Sequence, residues 1–165
     1  MSTIEHILCP TDFSVHSAAA LVYALRLAEG LGARVTLLHV CPVPLYVMPG
    51  GEYAPMGDDT ATFMKSAQHE LDKWVEKHSK DTPRALDSLL VHGDAYRKIT
   101  AAAASLHVGL IVMGTHGRSG FSRLVTGSVA ERVLRTSSCP VLTIPLAMAK
   151  TMAKTLGSEK PSAPV

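Results

Sequence analysis

Short apolar segments alternate with amphipathic helical segments along the chain, and this alternation constrains the fold more than any other feature. The apolar segments are nearly continuous and bounded by Gly or Pro, as expected of strands buried on both faces. Strands separated by helices pair in parallel through right-handed crossovers. The sequence therefore predicts an α/β fold, a doubly wound five-stranded parallel sheet with helices on both faces. Predicted strands cover residues 4–9, 34–40, 85–92, 109–113 and 140–144, and predicted helices cover 14–31, 59–80, a segment after Asp94 that carries Ile99 to Leu106, and 128–135.

Two stretches interrupt the alternation and define the domain boundaries. Residues 41–58 are rich in proline and glycine, which predicts a long loop over one end of the sheet. Residues 146–165 lack a consistent pattern, which predicts a mobile C-terminal tail. We therefore expect one domain over residues 1–145, followed by the tail. Within that domain, Pro10 is expected to close the first strand.

Charge, hydropathy and cysteine content exclude several classes of partner. The chain has 16 Lys and Arg against 14 Asp and Glu, and the last twenty residues hold three of the bases and one of the acids, which leaves 13 against 13. A neutral body argues against a nucleic-acid partner. No apolar run approaches the ~20 residues of a membrane span. Residues 1–9 lack a signal-peptide pattern, and the three cysteines form no disulfide framework, so we expect a cytoplasmic protein with no membrane partner.

The loops after the first and fourth predicted strands carry the residues best suited to a ligand. Open parallel sheets bind ligands outside the carboxyl ends of their strands, near the point where strand order reverses. Residues 10–12 (Pro-Thr-Asp) follow the first strand, and a glycine-containing loop follows the fourth. Gly127 and Ser128 then open a helix, whose N–H groups and dipole suit a phosphate. The spacing predicts a phosphate-binding loop that returns to its own helix, with the pattern Gly114-x2-Gly117-x9-Gly127-Ser128.

Several of these residues have a second interpretation that the sequence leaves open. Asp12 can accept a hydrogen bond from a ribose hydroxyl or hold Mg²⁺ through water, or it can cap the first helix. Ser128 and Glu131 have the spacing of a capping box. Arg118 and His116 can each donate to a phosphate or remain solvated in the loop.

With these motifs the sequence resembles the universal stress protein family. The glycine spacing is similar to the family's ATP-binding signature, and four further segments resemble it: Ile7–Ser14 (ILCPTDFS), Leu37–Val40 (LLHV), Val91–Ala95 (VHGDA) and Ser138–Pro145 (SCPVLTIP). The similarity extends over about residues 3 to 145. The resemblance implies a parallel α/β sandwich of the adenine nucleotide α-hydrolase type, commonly homodimeric, and an ATP-binding member because every motif position is kept.

The resemblance also implies a ligand, ATP with Mg²⁺, and roles for individual residues. Asp12 and its neighbours Pro10 and Thr11 would face the ribose and phosphates, with Asp12 near the metal ion. Val40 would meet adenine through its backbone. The nucleoside would be lined by Met113 and Gly114, and the phosphates would be held by Gly117, Gly127, Ser128 and Val129, with Arg118 as a further candidate.

Three functions remain open from the sequence. The first is an ATP-binding universal stress protein that acts as a nucleotide-dependent regulator of a stress response. The second is a slow ATPase or nucleotidyl-transferring enzyme, and the third is an interaction module without a ligand. The chain has no Gly-Lys dipeptide and so no Walker A loop, and it has no G-x-S-x-G nucleophile elbow. Since Asp12 is the one compelling carboxylate of the two loops, we expect no catalytic residues and at most slow hydrolysis.

The last predicted strand carries an expectation about assembly. In a doubly wound sheet the terminal strand lies at an edge, where unpaired N–H and C=O groups favour association. Two copies can satisfy each other's groups about a two-fold axis. The sequence therefore predicts a homodimer through Val141, Leu142, Thr143 and Ile144, unless residues 146–165 fold back over the edge.

Overall fold

The strands and helices follow one another in the predicted order around a central parallel sheet. The structure, a computed structural model, describes residues 4–42, 45–47, 53–55, 59–79, 86–115, 128–145 and 147–148. The main sheet has the order β5-β2-β1-β6-β7, with every neighbouring pair parallel, so the predicted doubly wound sheet is confirmed. The elements are β1 (His6–Thr11), α1 (Val15–Leu31), β2 (Arg34–Cys41), β3 (Leu45–Val47), β4 (Tyr53–Pro55), α2 (Asp59–Ser79), β5 (Leu86–His92), α3 (Ala95–Ser105), β6 (Leu110–Gly114), α4 (Ser128–Thr136) and β7 (Val141–Ile144).

β1 continues past its predicted end, through Pro10 to Thr11. The prediction that Pro10 closes the strand is wrong because the N–H that proline lacks falls at a position without a ladder partner. The carbonyl of Glu5 accepts a hydrogen bond from β2, and that of His6 accepts one from the residue preceding β6. Alternate residues of a parallel strand bond to opposite neighbours, so Pro10 faces β6, and the pairing of β1 with β6 ends at Leu8.

The stretch predicted as a long loop contains a small antiparallel sheet. β3 and β4 pair with Leu45 opposite Pro55 and Val47 opposite Tyr53. The expectation of a loop is therefore wrong for these two segments, because strands of three residues are too short to show the alternation that sequence analysis detects. Residues 43–44, 48–52 and 56–58 of the same stretch lie outside the described residues.

The apolar core lies on both faces of the sheet. Successive residues of a strand point to opposite faces, and β1 illustrates this because all six of its residues are buried. Ile7 and Cys9 pack in a cluster with α1 and with Leu71 of α2. Leu8 packs in a second cluster with Ile99 of α3 and with residues of α4. Helices α1 and α2 therefore cover one face, and α3 and α4 cover the other.

Polar caps set the ends of the helices that flank the sheet. Ser14 is the N-cap of α1, and its side chain accepts a hydrogen bond from the backbone N–H of Ser17. Gly32 ends α1 in the left-handed conformation (φ 71°), which favours glycine. Asp94 caps α3 by accepting from the N–H of Arg97, as the sequence predicts.

None of the helices within the described residues has both the length and the apolar character needed to cross a membrane. Residue 146 and residues 149–165 of the predicted tail lie outside the described residues.

A buried histidine, His6, links the start of β1 to β2 and to the end of α3. Its Nδ1 donates to the carbonyl of Leu106 (3.2 Å), and its Nε2 lies 2.8 Å from the hydroxyl of Thr36. Because Nδ1 carries the proton in this arrangement, Nε2 accepts from the hydroxyl in the neutral ring. Burial lowers the pKa of His6, and nearby Arg34 lowers it further, against the raising effects of the Leu106 hydrogen bond and of Asp87.

We expect His6 to make the fold less stable in acid. Its pKa is lower in the folded state than in the unfolded state (about 6.5), so the unfolded chain binds more protons as pH falls below that value. The free energy of unfolding contributed by the neutral ring is complete above pH 6.5 and decreases below it. Urea unfolding from pH 7.5 to 5 should show a smaller loss for His6→Gln than for the wild type, and parallel curves would refute this.

Candidate functional site

A cavity of about 180 Å³ opens at the carboxyl ends of β2, β1 and β6, which are neighbours in the sheet. This volume is more than ten times the ~10–15 Å³ that one water molecule requires. The chain leaves β1 toward β2 and β5 and later returns to the other side of β1 as β6, so the cavity lies where strand order reverses. It is lined by Pro10, Thr11, Asp12, Ser17, Leu38, His39, Val40, Ala95, Ile99, Met113, Gly114, Thr115, Ser128, Val129 and Ala130.

The turn between β1 and α1 forms one wall and is held by its own side chains. The hydroxyl of Thr11 accepts from the N–H of Phe13 (3.0 Å) and donates to the hydroxyl of Ser17 (3.1 Å). Oδ1 of Asp12 accepts from both the N–H (3.1 Å) and the hydroxyl (2.6 Å) of Ser14. Asp12 is therefore not the N-cap of α1. It supports the residue that is, and Asp12 itself also lines the cavity.

The first turn of α4 forms a second wall. Ser128 and Val129 are the first two residues of the helix, and both line the cavity with Ala130. The initial N–H groups of a helix have no intrahelical acceptor, so this wall can donate to an anion. Because Ser128 is already helical, it is not the N-cap of a capping box, and the side chain of Glu131 pairs with Arg135 (3.1 Å). The capping-box interpretation is therefore not supported.

Gly114 ends β6 at a point of very close approach to α1. A Cβ at this position would lie 3.2 Å from backbone atoms of His16, closer than side chains normally allow. The next residue, Thr115, donates its N–H to the carbonyl of Ile144 (3.2 Å) at the end of β7. Gly114 therefore allows β6 to pack closely against α1, in addition to its place on the cavity wall.

The end of β2 brings a residue to the cavity that the sequence analysis did not single out. His39, whose register partner in β1 is Thr11, donates from Nδ1 to the carbonyl of Thr11 (2.8 Å). Its ring contacts that of Phe13, with centroids 4.3 Å apart. Val40 follows directly and lines the cavity as well.

The structure brings together every predicted site residue that it describes. These are Pro10, Thr11, Asp12, Val40, Met113, Gly114, Ser128 and Val129. The predicted residues Gly117, Arg118 and Gly127, and the candidate His116, lie outside the described residues.

Seven lining residues were absent from the prediction. His39 and Leu38 precede Val40 in the same predicted strand, and Thr115 adjoins Gly114, so proximity to a predicted residue was the signal available for them. The other four lie on helices, where the sequence alone does not show which turn faces the sheet edge: Ser17, Ala95, Ile99 and Ala130.

The cavity wall divides into apolar and polar parts. Leu38, Val40, Ile99, Met113 and Val129 are apolar, whereas the turn after β1 and Ser128 of α4 contribute hydroxyls and one carboxyl group. Ligand sites that combine an apolar wall with a few convergent polar groups suit amphipathic molecules. The arrangement fits an aromatic base against the apolar part and a sugar or phosphate against the polar part.

Asp12 is the single acidic residue among the described lining residues. No group of three or more His, Cys, Asp or Glu side chains suited to a metal ion occurs within the described part of the chain. Mg²⁺ commonly takes one or two protein carboxylates and completes its shell with water and substrate phosphates. The donors present therefore fit Mg²⁺ that arrives with a phosphate ligand and do not make a self-sufficient metal site.

The fold and this cavity define a doubly wound α/β protein with a ligand cavity at the switch point of its sheet. The family model described as the universal stress protein family matches residues 3–145, so the chain belongs to the universal stress protein family. Universal stress protein MJ0531 of Methanocaldococcus jannaschii is 31% identical over 142 residues, which cover 85% of this chain and 81% of the relative.

Solved structures agree with this assignment. A universal stress protein family member from Burkholderia pseudomallei is 32% identical with a TM-score of 0.68, covering 88% of this chain and 98% of that one. The universal stress protein from Archaeoglobus fulgidus in complex with dAMP has the same fold, with 21% identity, a TM-score of 0.61 and coverage of 87% and 99%.

We expect Gly114→Ala to destabilise the fold. The added methyl group would meet the backbone of His16, and overpacking of this kind costs about 1–3 kcal/mol of unfolding free energy. Gly30→Ala is the matched control, because nothing lies within 4 Å of a Cβ on Gly30 in α1, and it should stabilise by about 0.5–1 kcal/mol. Urea unfolding measures both, and equal effects of the two variants would contradict the packing role of Gly114.

Proposed function

We propose that the chain binds ATP together with Mg²⁺ in the cavity between β1, β2 and β6, and acts as a nucleotide-dependent regulatory protein. The observation that carries this proposal is the convergence of three elements on one cavity: the Asp12 turn, the apolar end of β2 and the first turn of α4. An adenine base fits the apolar wall near Val40, and phosphates fit the N–H groups of α4. The dAMP complex of the structurally similar A. fulgidus protein supports an adenine nucleotide in this fold.

The wall supports ligand binding better than fast catalysis. Two described lining residues, Asp12 and His39, can accept a proton, and both already form hydrogen bonds to neighbouring residues. Oδ1 of Asp12 is hydrogen-bonded to Ser14, and Nδ1 of His39 is bonded to Thr11. No lysine lines the described part of the cavity. Fast phosphoryl transfer depends on positioned bases and cations, so this wall favours a regulator over an ATPase or nucleotidyl transferase.

Mg–ATP should bind more tightly than Mg–GTP, because the base meets an apolar wall and backbone groups near Val40. Gly127→Val should abolish measurable ATP binding by placing a side chain directly before the first turn of α4. Gly30→Val is the control, because nothing lies within 4 Å of a Cβ at this position of α1. This variant should bind ATP as the wild type does. Titration calorimetry decides the matter, and unchanged affinity in Gly127→Val would remove the assignment.

Hydrolysis should be slow, well below the median enzyme turnover of about 10 s⁻¹. A steady-state phosphate-release assay tests this, and turnover at or above that value would favour an ATPase over a regulatory protein.

Asp12→Asn keeps the size of the side chain and removes its charge, so it should weaken the Mg²⁺-dependent part of ATP binding. If calorimetry with and without EDTA shows no change in that variant, Asp12 serves only to support Ser14.

We also infer a homodimer formed through β7, the strand Val141–Ile144. This strand lies at the edge of the main sheet, as the sequence predicts. The carbonyls of Pro140 and Ile144 accept hydrogen bonds from the β6 side, so Val141 and Thr143 direct their backbone groups outward. Among the described strands none pairs with this side of β7, so the outward groups can pair antiparallel with a second copy.

The direction of these groups identifies the decisive variant. The sequence alone suggests Leu142→Pro, but the N–H of Leu142 faces β6, so that substitution damages the sheet of each protomer. Thr143→Pro removes an outward N–H, a position where an edge strand tolerates proline. Thr143→Pro should be monomeric with a melting temperature near that of the wild type, whereas Leu142→Pro should melt earlier. Light scattering that finds Thr143→Pro still dimeric would relocate the interface.

The state of the cysteines supports a cytoplasmic location. Cys9, Cys41 and Cys139 are all unpaired thiols. Burial raises the pKa of the Cys9 thiol to about 12, which keeps it protonated and unreactive. Unpaired cysteines are typical of a reducing compartment.

The division into a domain over residues 1–145 and a mobile tail over 146–165 is likewise a proposal, supported by the extent of the family match.

A further inference from the structure

β1 and β6 lie side by side in the sheet but pair over only part of their length. Their parallel pairing ends at Leu8, which lies opposite Ile111. Both strands nevertheless continue in an extended conformation, through residues 9–11 of β1 and residues 112–114 of β6. The sheet is therefore open between these two carboxyl ends, although each of them is a regular strand.

Each of the open ends is held by the neighbouring strand on its other side. β1 remains paired with β2 as far as Thr11, which lies opposite His39. β6 remains paired with β7 as far as Gly114, which lies opposite Ile144. The pairing of β1 with β6 is therefore not lost because either strand ends early. Its loss needs a local cause on the side where β1 faces β6.

Pro10 is the first residue after Leu8 whose backbone groups point toward β6. Alternate residues of a parallel strand bond to opposite neighbours, and the carbonyl of His6 accepts a hydrogen bond from the residue that precedes β6. Leu8 and Pro10 therefore face β6 as well. The next hydrogen bond that β1 could donate to β6 would have to come from the N–H of residue 10.

The acceptor for such a hydrogen bond is the carbonyl of Val112. The N–H of Ile111 donates to the carbonyl of Pro140 on the β7 side, so the following residue of β6, Val112, faces β1. The register of the two strands then places the carbonyl of Val112 opposite the backbone nitrogen of residue 10. Proline has no N–H, so the ladder cannot continue at this point.

The missing hydrogen bond lies at the place where the cavity opens. Pro10 lines the cavity from β1, and Met113 and Gly114 line it from β6. Strands joined by a ladder lie about 4.8 Å apart, which leaves no space for a ligand between their backbones. A ladder that continued to Gly114 would therefore close this part of the cavity.

We propose that Pro10 is a positioning residue, which keeps the carboxyl ends of β1 and β6 apart and so gives the cavity the width that a nucleotide needs. The inference rests on the proposed function. An N–H at position 10 would gain a partner, the carbonyl of Val112, once the two ends approach each other. Both positions are buried, and an unpaired buried polar group is costly, so the approach would be favourable. Both ends are already extended and in register, so only a lateral movement is needed.

Pro10→Val restores the N–H and keeps an apolar side chain on the cavity wall. In this variant we expect a hydrogen bond from the N–H of residue 10 to the carbonyl of Val112, which NMR detects as a scalar coupling between the amide nitrogen and the carbonyl carbon. Calorimetry with Mg–ATP should show affinity at least about tenfold lower than in the wild type, which corresponds to about 1.4 kcal/mol. The melting temperature should be at or above the wild-type value, because the sheet gains a hydrogen bond.

Pro140→Val is the matched control. Pro140 also faces β6, because its carbonyl accepts from the N–H of Ile111, but it does so from the opposite side and directly before the amino end of β7. It is not one of the residues that line the cavity. Restoring an N–H at this position should therefore leave the affinity for Mg–ATP unchanged.

Three results would overturn the inference. If Pro10→Val shows no coupling to Val112, the strands stay apart without the proline. If the coupling is present and the affinity equals that of the wild type, the opening does not matter to the ligand. If Pro10→Val and Pro140→Val both lose affinity in proportion to their loss of melting temperature, the prolines act only through the stability of the sheet.

The wild type supplies the test if Pro10→Val does not fold. A continued ladder would also contain a hydrogen bond from the N–H of Gly114 to the carbonyl of Pro10. We expect no scalar coupling between these two groups in the wild type, either with or without Mg–ATP. A coupling between them would show that the ends pair with the proline in place, and the inference would be wrong.

The two measurements distinguish the role of Pro10 from the function on which it rests. If the wild type binds no adenine nucleotide, the proposed function fails, and the coupling to Val112 in Pro10→Val still decides whether the proline keeps the strands apart. If the wild type binds Mg–ATP and Pro10→Val binds it equally well, the proposed function stands and the positioning role alone is wrong.

Discussion

The parallel pairing of β1 with strands on both sides is the interaction on which the rest of the structure depends. β1 pairs with β2 over all six of its residues and with β6 over Ile7 and Leu8. Because the pairing with β6 ends first, the carboxyl end of β1 separates from β6, and the residues beyond it line the cavity. The same strand supplies buried residues to both core clusters, through Ile7 and Cys9 on one face and Leu8 on the other. The same strand therefore supports both the apolar core and the cavity.

The sequence was sufficient for the fold because the sheet strands are long and apolar enough to show their period. The five predicted strands of the main sheet are all present, and their ends differ from the prediction by at most two residues. β3 and β4 were missed because three residues carry no period, and the surrounding prolines and glycines indicated a loop. The end of β1 was predicted too early for another reason. Proline interrupts a strand only where the N–H that it lacks would have a partner in the sheet.

The lining of the candidate site was predictable where topology alone decides it. Residues that follow β1 and β6 must lie at the same sheet edge, so Asp12, Gly114 and their neighbours could be assigned without knowledge of side-chain packing. His39 could not, because a histidine inside a strand is more often a satisfied core or surface residue, and its contact with Thr11 depends on the register of two strands. Likewise, the sequence did not show which residue caps α1. The N-cap is Ser14, two residues after Asp12.

The spacing of the paired strands along the chain has a consequence for the order in which the molecule assembles. Ile7 pairs with Val35 of β2 nearby in sequence, but on its other side it pairs with Leu110, 103 positions later. Closing that long loop carries the larger entropy penalty, so β1, α1 and β2 can associate well before β6 arrives. Until β6 docks, the cavity lacks one of its three strands. A ligand of this cavity would therefore bind only the completed sheet, and its binding energy would shift the population away from half-formed chains.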